Sequence, residues 1–176
     1  MHVLQPDFFT AYGMNALCAF SMACGMWVLR RTYDHPGLPW ALASAATQGG
    51  AYVLLALHSQ LLHTNWLLAA SVLSSSSLAC LTLAMLRFRQ HRQAWRPYAA
   101  LLPPWGLLLL ALVLGPQTSL VLQQQHMLVT GLQALYFLGL LLRLRPRLPG
   151  HGWRLLTTAT LLQITLLLPP LQPPLT

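Results

Sequence analysis

Long apolar stretches alternate with short polar segments along the whole chain. Six such stretches are each long enough, or nearly so, to cross the hydrocarbon core of a bilayer, with approximate bounds 8–29, 40–57, 66–86, 98–114, 120–142 and 153–168. A membrane-spanning segment must satisfy its backbone hydrogen bonds internally. The pattern therefore predicts an all-α, polytopic membrane bundle of about six transmembrane helices over residues 1–168. Residues 169–176 are rich in proline, and we expect a tail that is not a regular helix.

Local features refine three of the predicted helices. Pro103 and Pro104 remove two backbone donors, so the fourth helix should kink or begin late. In the second helix Ala41, Ala45 and Gly49 recur at every fourth position, a stripe that allows close approach of another helix. The third helix contains a run of four serines. We expect their hydroxyls to bond carbonyls of the preceding turn and to lie on a close-packed surface.

The charge distribution indicates the orientation in the membrane. Of the 176 residues 56% are hydrophobic and only 7% are charged, values typical of membrane proteins. All ten basic residues are arginines, and they form three clusters between apolar stretches: Arg30, Arg31, Arg87, Arg89, Arg92, Arg96, Arg143, Arg145, Arg147 and Arg154. With six spans, the three clusters face one side, which the positive-inside rule makes the cytoplasm. We therefore predict a multi-pass membrane protein with its N-terminus outside and its arginine-rich loops inside.

The same arginines decide between classes of partner. A formal net charge of +8 would fit nucleic acid, but these arginines flank apolar spans, so we predict no nucleic-acid binding. The expected partner is the lipid bilayer, whose anionic headgroups the arginines contact. A homo-oligomer and a separate signalling partner both remain open. Cys18, Cys24 and Cys80 lie inside apolar spans, and we interpret them as small residues of helix interfaces.

The sequence offers little material for catalysis. The acids Asp7 and Asp34 fall on opposite sides of the membrane and outside every span, which disfavours paired acid–base chemistry and ion-coupled transport. We predict no catalytic residue and no cofactor. The candidates for a metal site are His58, His63 and His126, all towards the outer face. Their spacing matches no pattern of metal ligands, so we predict no metal either.

A more specific pattern involves two of the arginine clusters. The first apolar helix ends in Arg30 and Arg31, and after a short turn residues 37–42 read Gly-Leu-Pro-Trp-Ala-Leu. The third span closes with Leu-Arg-Phe-Arg at residues 86–89. This order resembles the N-terminal multi-helix membrane sensor region of bacterial GGDEF-type diguanylate cyclases, over residues 8–168. In that family the membrane part anchors and regulates a cytoplasmic domain that makes cyclic di-GMP from two GTP molecules.

The resemblance implies a sensory or anchoring module of a bacterial signalling protein, located in the bacterial inner (plasma) membrane. The chain has no Gly-Gly-Asp/Glu-Glu-Phe motif, so we do not expect it to be an enzyme, although a full-length relative would be a diguanylate cyclase. The family region usually continues into a further helix, so we expect an incomplete version of a longer design. A ligand would act by binding two packing states unequally. Two alternatives stay open: an orphan membrane protein that packs against a partner, and a small membrane carrier or enzyme.

Overall fold

The computed structural model describes residues 8–61, 64–89, 96–114 and 119–144, together with positions 158, 160 and 161. Its elements are α1 (Phe8–Thr32), α2 (Leu38–Leu61), α3 (Thr64–Arg89), a 3-10 helix (Arg96–Leu101), α4 (Leu102–Leu114) and α5 (Ser119–Leu144). A turn at residues 33–37 joins α1 to α2, and the isolated positions 158, 160 and 161 are helical. The described part contains no strand, so the all-α prediction is confirmed there.

Four of these helices, α1, α2, α3 and α5, are long and apolar enough to cross a membrane. The prediction of a membrane protein is thereby confirmed. Helix α4 has 13 residues and rises only about 20 Å. The 3-10 helix before it has 6 residues and adds about 12 Å. The count of six spans is not confirmed, because the predicted sixth helix at 153–168 lies outside the described residues except at the three isolated positions.

Helices α1, α2 and α3 follow one another as antiparallel neighbours. Ser44, early in α2, bonds Ser77 in the second half of α3. Further along α2, Gly50 faces Leu73, which comes earlier in α3. Residue numbers rise along α2 where they fall along α3, so the two helices run in opposite directions.

Helix α5 runs parallel to α3. Ser75 of α3 bonds Gln133 of α5. Later in both helices, Met85 packs in one buried cluster with Phe137 and Leu141. Because both helices advance in the same direction, the chain between them must return from one end of the bundle to the other.

Helix α3 is the centre of the described bundle. It packs against α2, the 3-10 helix, α4 and α5. In its most apolar stretch 56% of the residues are buried, against 17% in α1. The exposed apolar side of α1 therefore suits contact with lipid. Cys80 of α3 is buried, but Cys18 and Cys24 of α1 are exposed, so their predicted place in helix interfaces is wrong within this bundle.

The predicted stripe of small residues on α2 is confirmed as a packing surface. Ala41 and Ala45 are 8% and 9% exposed, and Gly49 is also buried. A Cβ placed on Gly49 would lie 2.9 Å from the ring of Phe20 on α1. The absence of a side chain at this position lets the Phe20 ring lie directly against the α2 backbone.

The two prolines at the start of α4 act as predicted. The α-helix begins only at Leu102, after the 3-10 stretch, and Pro103 and Pro104 lie in its first turn. In a first turn the missing N–H groups have no intrahelical acceptor to lose. The late start of the fourth helix is therefore confirmed.

The break at residues 58–65 that the bounds of the second and third apolar stretches predict is wrong in its extent. Helix α2 already includes His58 and Ser59, and α3 already includes Asn65. The Ser59 hydroxyl donates to the carbonyl of Ala56 at 2.7 Å, which satisfies this polar group inside the helix. The helix can therefore continue past the end of the apolar stretch.

Candidate functional site

The turn between α1 and α2 rests on the C-terminal part of α3. The His35 ring stacks on Phe88 with a centroid distance of 4.5 Å and an interplanar angle of 28°. The N–H of Gly37 donates to His35 Nδ1 at 3.3 Å. Gly37 is buried, and a Cβ there would lie 2.7 Å from the Phe88 ring and 2.9 Å from the carbonyl oxygen of Ala84. We call this arrangement the turn–helix contact; it leaves room for glycine alone.

The turn–helix contact brings arginines from separate clusters to one end of the bundle. Arg30 and Arg31 close α1, Arg87 lies in the last turn of α3, and Arg143 lies near the end of the parallel helix α5. The guanidinium carbon of Arg31 lies 4.0 Å from the ring centroid of Trp27, a cation–π geometry. The described arginines therefore occupy helix ends that share one end of the bundle.

The remaining arginines belong to the same loops. Arg89 is the last residue of α3, and Arg96 is the first of the 3-10 helix. Four others lie outside the described residues: Arg92, Arg145, Arg147 and Arg154. The predicted roles of all ten in orientation and in headgroup binding stay predictions.

A second polar arrangement joins α3 to α5. Ser75 is 0% exposed, and its hydroxyl donates to Gln133 Oε1 at 2.8 Å. Gln133 Nε2 donates in turn to the Ser75 carbonyl oxygen at 3.2 Å. The two residues thus exchange hydrogen bonds across the helix interface, in a region where lipid offers no competing partner.

A third arrangement joins α2 to α3. The Ser77 hydroxyl donates to the carbonyl of Ser44 at 2.9 Å, and the two hydroxyl oxygens lie 3.2 Å apart. Ser76 instead donates to Val72 in its own helix at 2.7 Å, as predicted for the whole serine run. The expected close-packed surface is therefore present, but Ser75 and Ser77 bond neighbouring helices.

Ser75→Ala is expected to lower the free energy of unfolding by about 1 kcal/mol, because Gln133 Oε1 loses its donor where no water replaces it. The measurement is unfolding of the purified protein in mixtures of mild detergent and SDS. Ser76→Ala is the matched control, since that hydroxyl bonds only within α3 among the described contacts. Equal effects of the two substitutions would contradict a stabilising α3–α5 bond.

The candidate histidines do not assemble into a described metal site. His58 lies in the last turn of α2. His126 lies in the first half of α5, with Nδ1 3.2 Å from the hydroxyl of Thr130 on the next turn. His63 is outside the described residues. Among the described residues there is no group of three or more His, Cys, Asp or Glu side chains that could hold a metal ion.

A cavity of about 610 Å³ lies between α3, the 3-10 helix, α4 and α5. Most of its described wall is apolar, with Leu86, Pro103 and Leu107 as examples. The polar exceptions include Thr82 of α3 and Gln133 of α5. The volume falls in the range of about 300–1,000 Å³ that is usual for small-molecule sites.

Gln133 and the turn–helix contact are among the features of this site that were not predicted from the sequence. A signal for Gln133 was present, because an amide in the middle of an apolar helix needs a hydrogen-bonding partner. The serine run on α3 was the available source of that partner. No comparable signal joined His35 to Phe88, which are far apart along the chain.

These elements define an all-α membrane protein with at least four helices able to cross a bilayer. The chain matches no family model, no curated protein and no solved structure.

Proposed function

We propose that the chain is the membrane-embedded sensory or anchoring module of a bacterial signalling protein of the diguanylate cyclase type. Its N-terminus would lie outside the inner membrane, and its arginine-rich end would face the cytoplasm. Cyclic di-GMP synthesis would belong to a separate catalytic domain, because this sequence has no Gly-Gly-Asp/Glu-Glu-Phe motif.

The turn–helix contact is the observation that supports this proposal. The resemblance to the cyclase sensor region rests on two segments, the turn with Gly37 and the end of α3 with Phe88. These segments touch each other, so they belong to one structural unit. That unit lies at the arginine-rich end, which is where a cytoplasmic output domain would be reached.

The packing offers a route for regulation. Helix α3 contacts α2, α4 and α5, and its last turns carry the turn–helix contact. A displacement of α3 along its axis would therefore move Phe88 relative to Gly37. A ligand that binds one position of α3 more tightly than the other would shift this equilibrium.

Deleting the gene is expected to change the cellular concentration of cyclic di-GMP at least about twofold, a population shift of about 0.4 kcal/mol or more. The measurement is nucleotide extraction and mass spectrometry from the bacterium that carries the gene. The full-length wild-type chain, returned on a plasmid, should restore the original concentration.

Two variants make this test specific to the turn–helix contact. Phe88→Leu keeps an apolar side chain beside Gly37 but removes the ring that stacks on His35, and it should not restore the concentration. Gly13→Leu on α1 is the control, since a Cβ there meets nothing within 4 Å, and it should restore it. Both chains must reach the membrane in equal amounts. An unchanged cyclic di-GMP concentration after deletion would favour the alternative of a membrane protein that packs against a partner without signalling.

A further inference from the structure

The cavity beside α3 is a partly open groove that combines an apolar wall with a half-buried hydrogen-bonding group. Its lining comes from α3, the 3-10 helix, α4 and α5, and no charged side chain belongs to its described lining. Gln133 lies in the middle of α5, far from the arginine-rich end of that helix. The cavity thus lies among the membrane-spanning segments, where a ligand would arrive from the lipid phase.

The amide of Gln133 retains bonding capacity towards this cavity. A primary amide carries two N–H donors and an oxygen with two lone pairs. Ser75 takes one N–H and supplies one hydrogen bond to the oxygen. One N–H and one lone pair remain. An N–H beside an apolar wall is more costly to leave without an acceptor than a carbonyl with one unused lone pair, so a hydrogen-bond acceptor is the group that best complements this amide.

We propose that this cavity binds a neutral, lipid-soluble molecule that carries a carbonyl group. The carbonyl oxygen accepts the second N–H of Gln133, and the apolar body fills the space beside Leu107 and Gly106 of α4. A neutral ligand is required because a charge at this depth would have no counter-ion in the described lining. The inference deepens the proposed sensory function, since this molecule would be the signal.

The position of the cavity would let such a ligand change how α3 packs against its neighbouring helices. The Ser75–Gln133 exchange joins α3 to α5 at one side of the cavity, and α4 closes another side. A molecule bound between α3, α4 and α5 would fit one spacing of these helices better than another. Its binding would therefore favour one packing state of the bundle.

The experiment measures equilibrium binding to the full chain in lipid nanodiscs. The probe is a radiolabelled benzoquinone with a decyl tail, and the comparison ligand is decylbenzene, which has the same tail and no carbonyl. The quinone should bind saturably and about fivefold more tightly than decylbenzene, the advantage expected from one hydrogen bond. Non-saturable partitioning, or equal affinity for the two ligands, would overturn the proposal.

Two variants locate the binding site. Gly106 lines the cavity and a Cβ there meets nothing within 4 Å, so Gly106→Leu adds a bulky side chain at the cavity wall without a clash and should weaken binding at least about tenfold. Gly13→Leu is the matched control on α1 and should bind like the wild type. Gln133→Met should remove the preference for the quinone. Wild-type affinity in the Gly106 variant, or an intact preference in the Gln133 variant, would contradict this site.

The outcome separates this inference from the proposed function. Binding is measured on purified protein and uses no cyclic di-GMP readout, so a failure here leaves the deletion test unaffected. If Gln133→Met does not fold, as judged by circular dichroism, the ligand affinity of the Gly106→Leu variant alone tests the binding site. Saturable binding with no effect of gene deletion would retain the ligand site and reject the signalling role.

Discussion

Replacing Gly37 by alanine is expected to destabilise the folded bundle by about 2 kcal/mol. The new Cβ would lie 2.7 Å from the Phe88 ring and 2.9 Å from the backbone oxygen of Ala84. The ring can rotate, but the carbonyl is fixed in helix α3, so the turn itself must lift. Lifting the turn also separates His35 from Phe88. Unfolding in detergent–SDS mixtures measures the loss.

The sign of this effect is informative. Alanine in place of glycine normally stabilises a protein by about 0.4–1 kcal/mol when the native backbone tolerates it, because the unfolded chain has less conformational freedom. A stability equal to or above that of the wild type would mean that the turn does not rest on α3. A loss would mean that the steric clash exceeds the gain from the unfolded state.

Two other glycines provide graded controls. The three atoms nearest to a Cβ on Gly49 are ring atoms of Phe20 at 2.9–3.0 Å, and Phe20 is 40% exposed, so its ring can move towards lipid. Gly49→Ala should therefore cost less than Gly37→Ala. A Cβ on Gly13 meets nothing within 4 Å, and alanine there should stabilise α1 by up to about 1 kcal/mol.

A second substitution tests which atoms oppose the new Cβ. Phe88→Ala in the Gly37→Ala background removes the ring but leaves the Ala84 carbonyl. The double variant should therefore show partial coupling: the two losses should sum to more than the combined loss, without full recovery. Strict additivity would contradict a direct steric contact between residues 37 and 88.

The fold was predictable from the sequence wherever the length of an apolar stretch alone determines the secondary structure. Long apolar stretches must become helices in lipid, and α1, α2, α3 and α5 follow from that requirement. The late start of α4 follows from the geometry of Pro103 and Pro104. These are local rules, and they do not depend on which helices become neighbours.

The packing was less predictable, because helix interfaces and lipid-facing surfaces are both apolar. Cys18 and Cys80 have the same chemistry, yet one is exposed and the other is buried. The serines show the same limit: local back-bonding was expected for all, but Ser75 and Ser77 bond neighbouring helices. The candidate site therefore depends on tertiary contacts that the pattern of apolar and polar residues does not reveal.

The parallel direction of α3 and α5 bears on the topology of the chain. Since both helices run towards the arginine-rich end, the 3-10 helix and α4 must carry the chain back between them. Together these two elements rise about 30 Å, the thickness of the hydrocarbon core. Laid end to end, the two elements would therefore be long enough for a crossing that α4 alone is too short to make.

Reporters fused to the arginine-rich loops and reporters fused to the other loops should lie in opposite compartments. Fusions after Arg92 and Arg147 should be cytoplasmic, and fusions after His63 and Gln117 should be external, because basic loops are retained inside. Alkaline phosphatase is active only outside and a fluorescent protein only inside, so each site gives two opposite readings. An external reporter after Arg92 together with a cytoplasmic reporter after Gln117 would show that the predicted orientation is wrong.

A fusion after Thr176 tests the sixth crossing and completes this prediction. Six spans return that position to the outside, whereas five would leave it in the cytoplasm. The predicted sixth stretch, 153–168, is the shortest of the six, and prolines follow it. We expect an external reading, because Thr160 is helical and buried, as a residue of a packed helix would be. Appending an apolar helix that ends in arginines should then move the reporter inside. A cytoplasmic reading without that helix would show that the count of six is wrong.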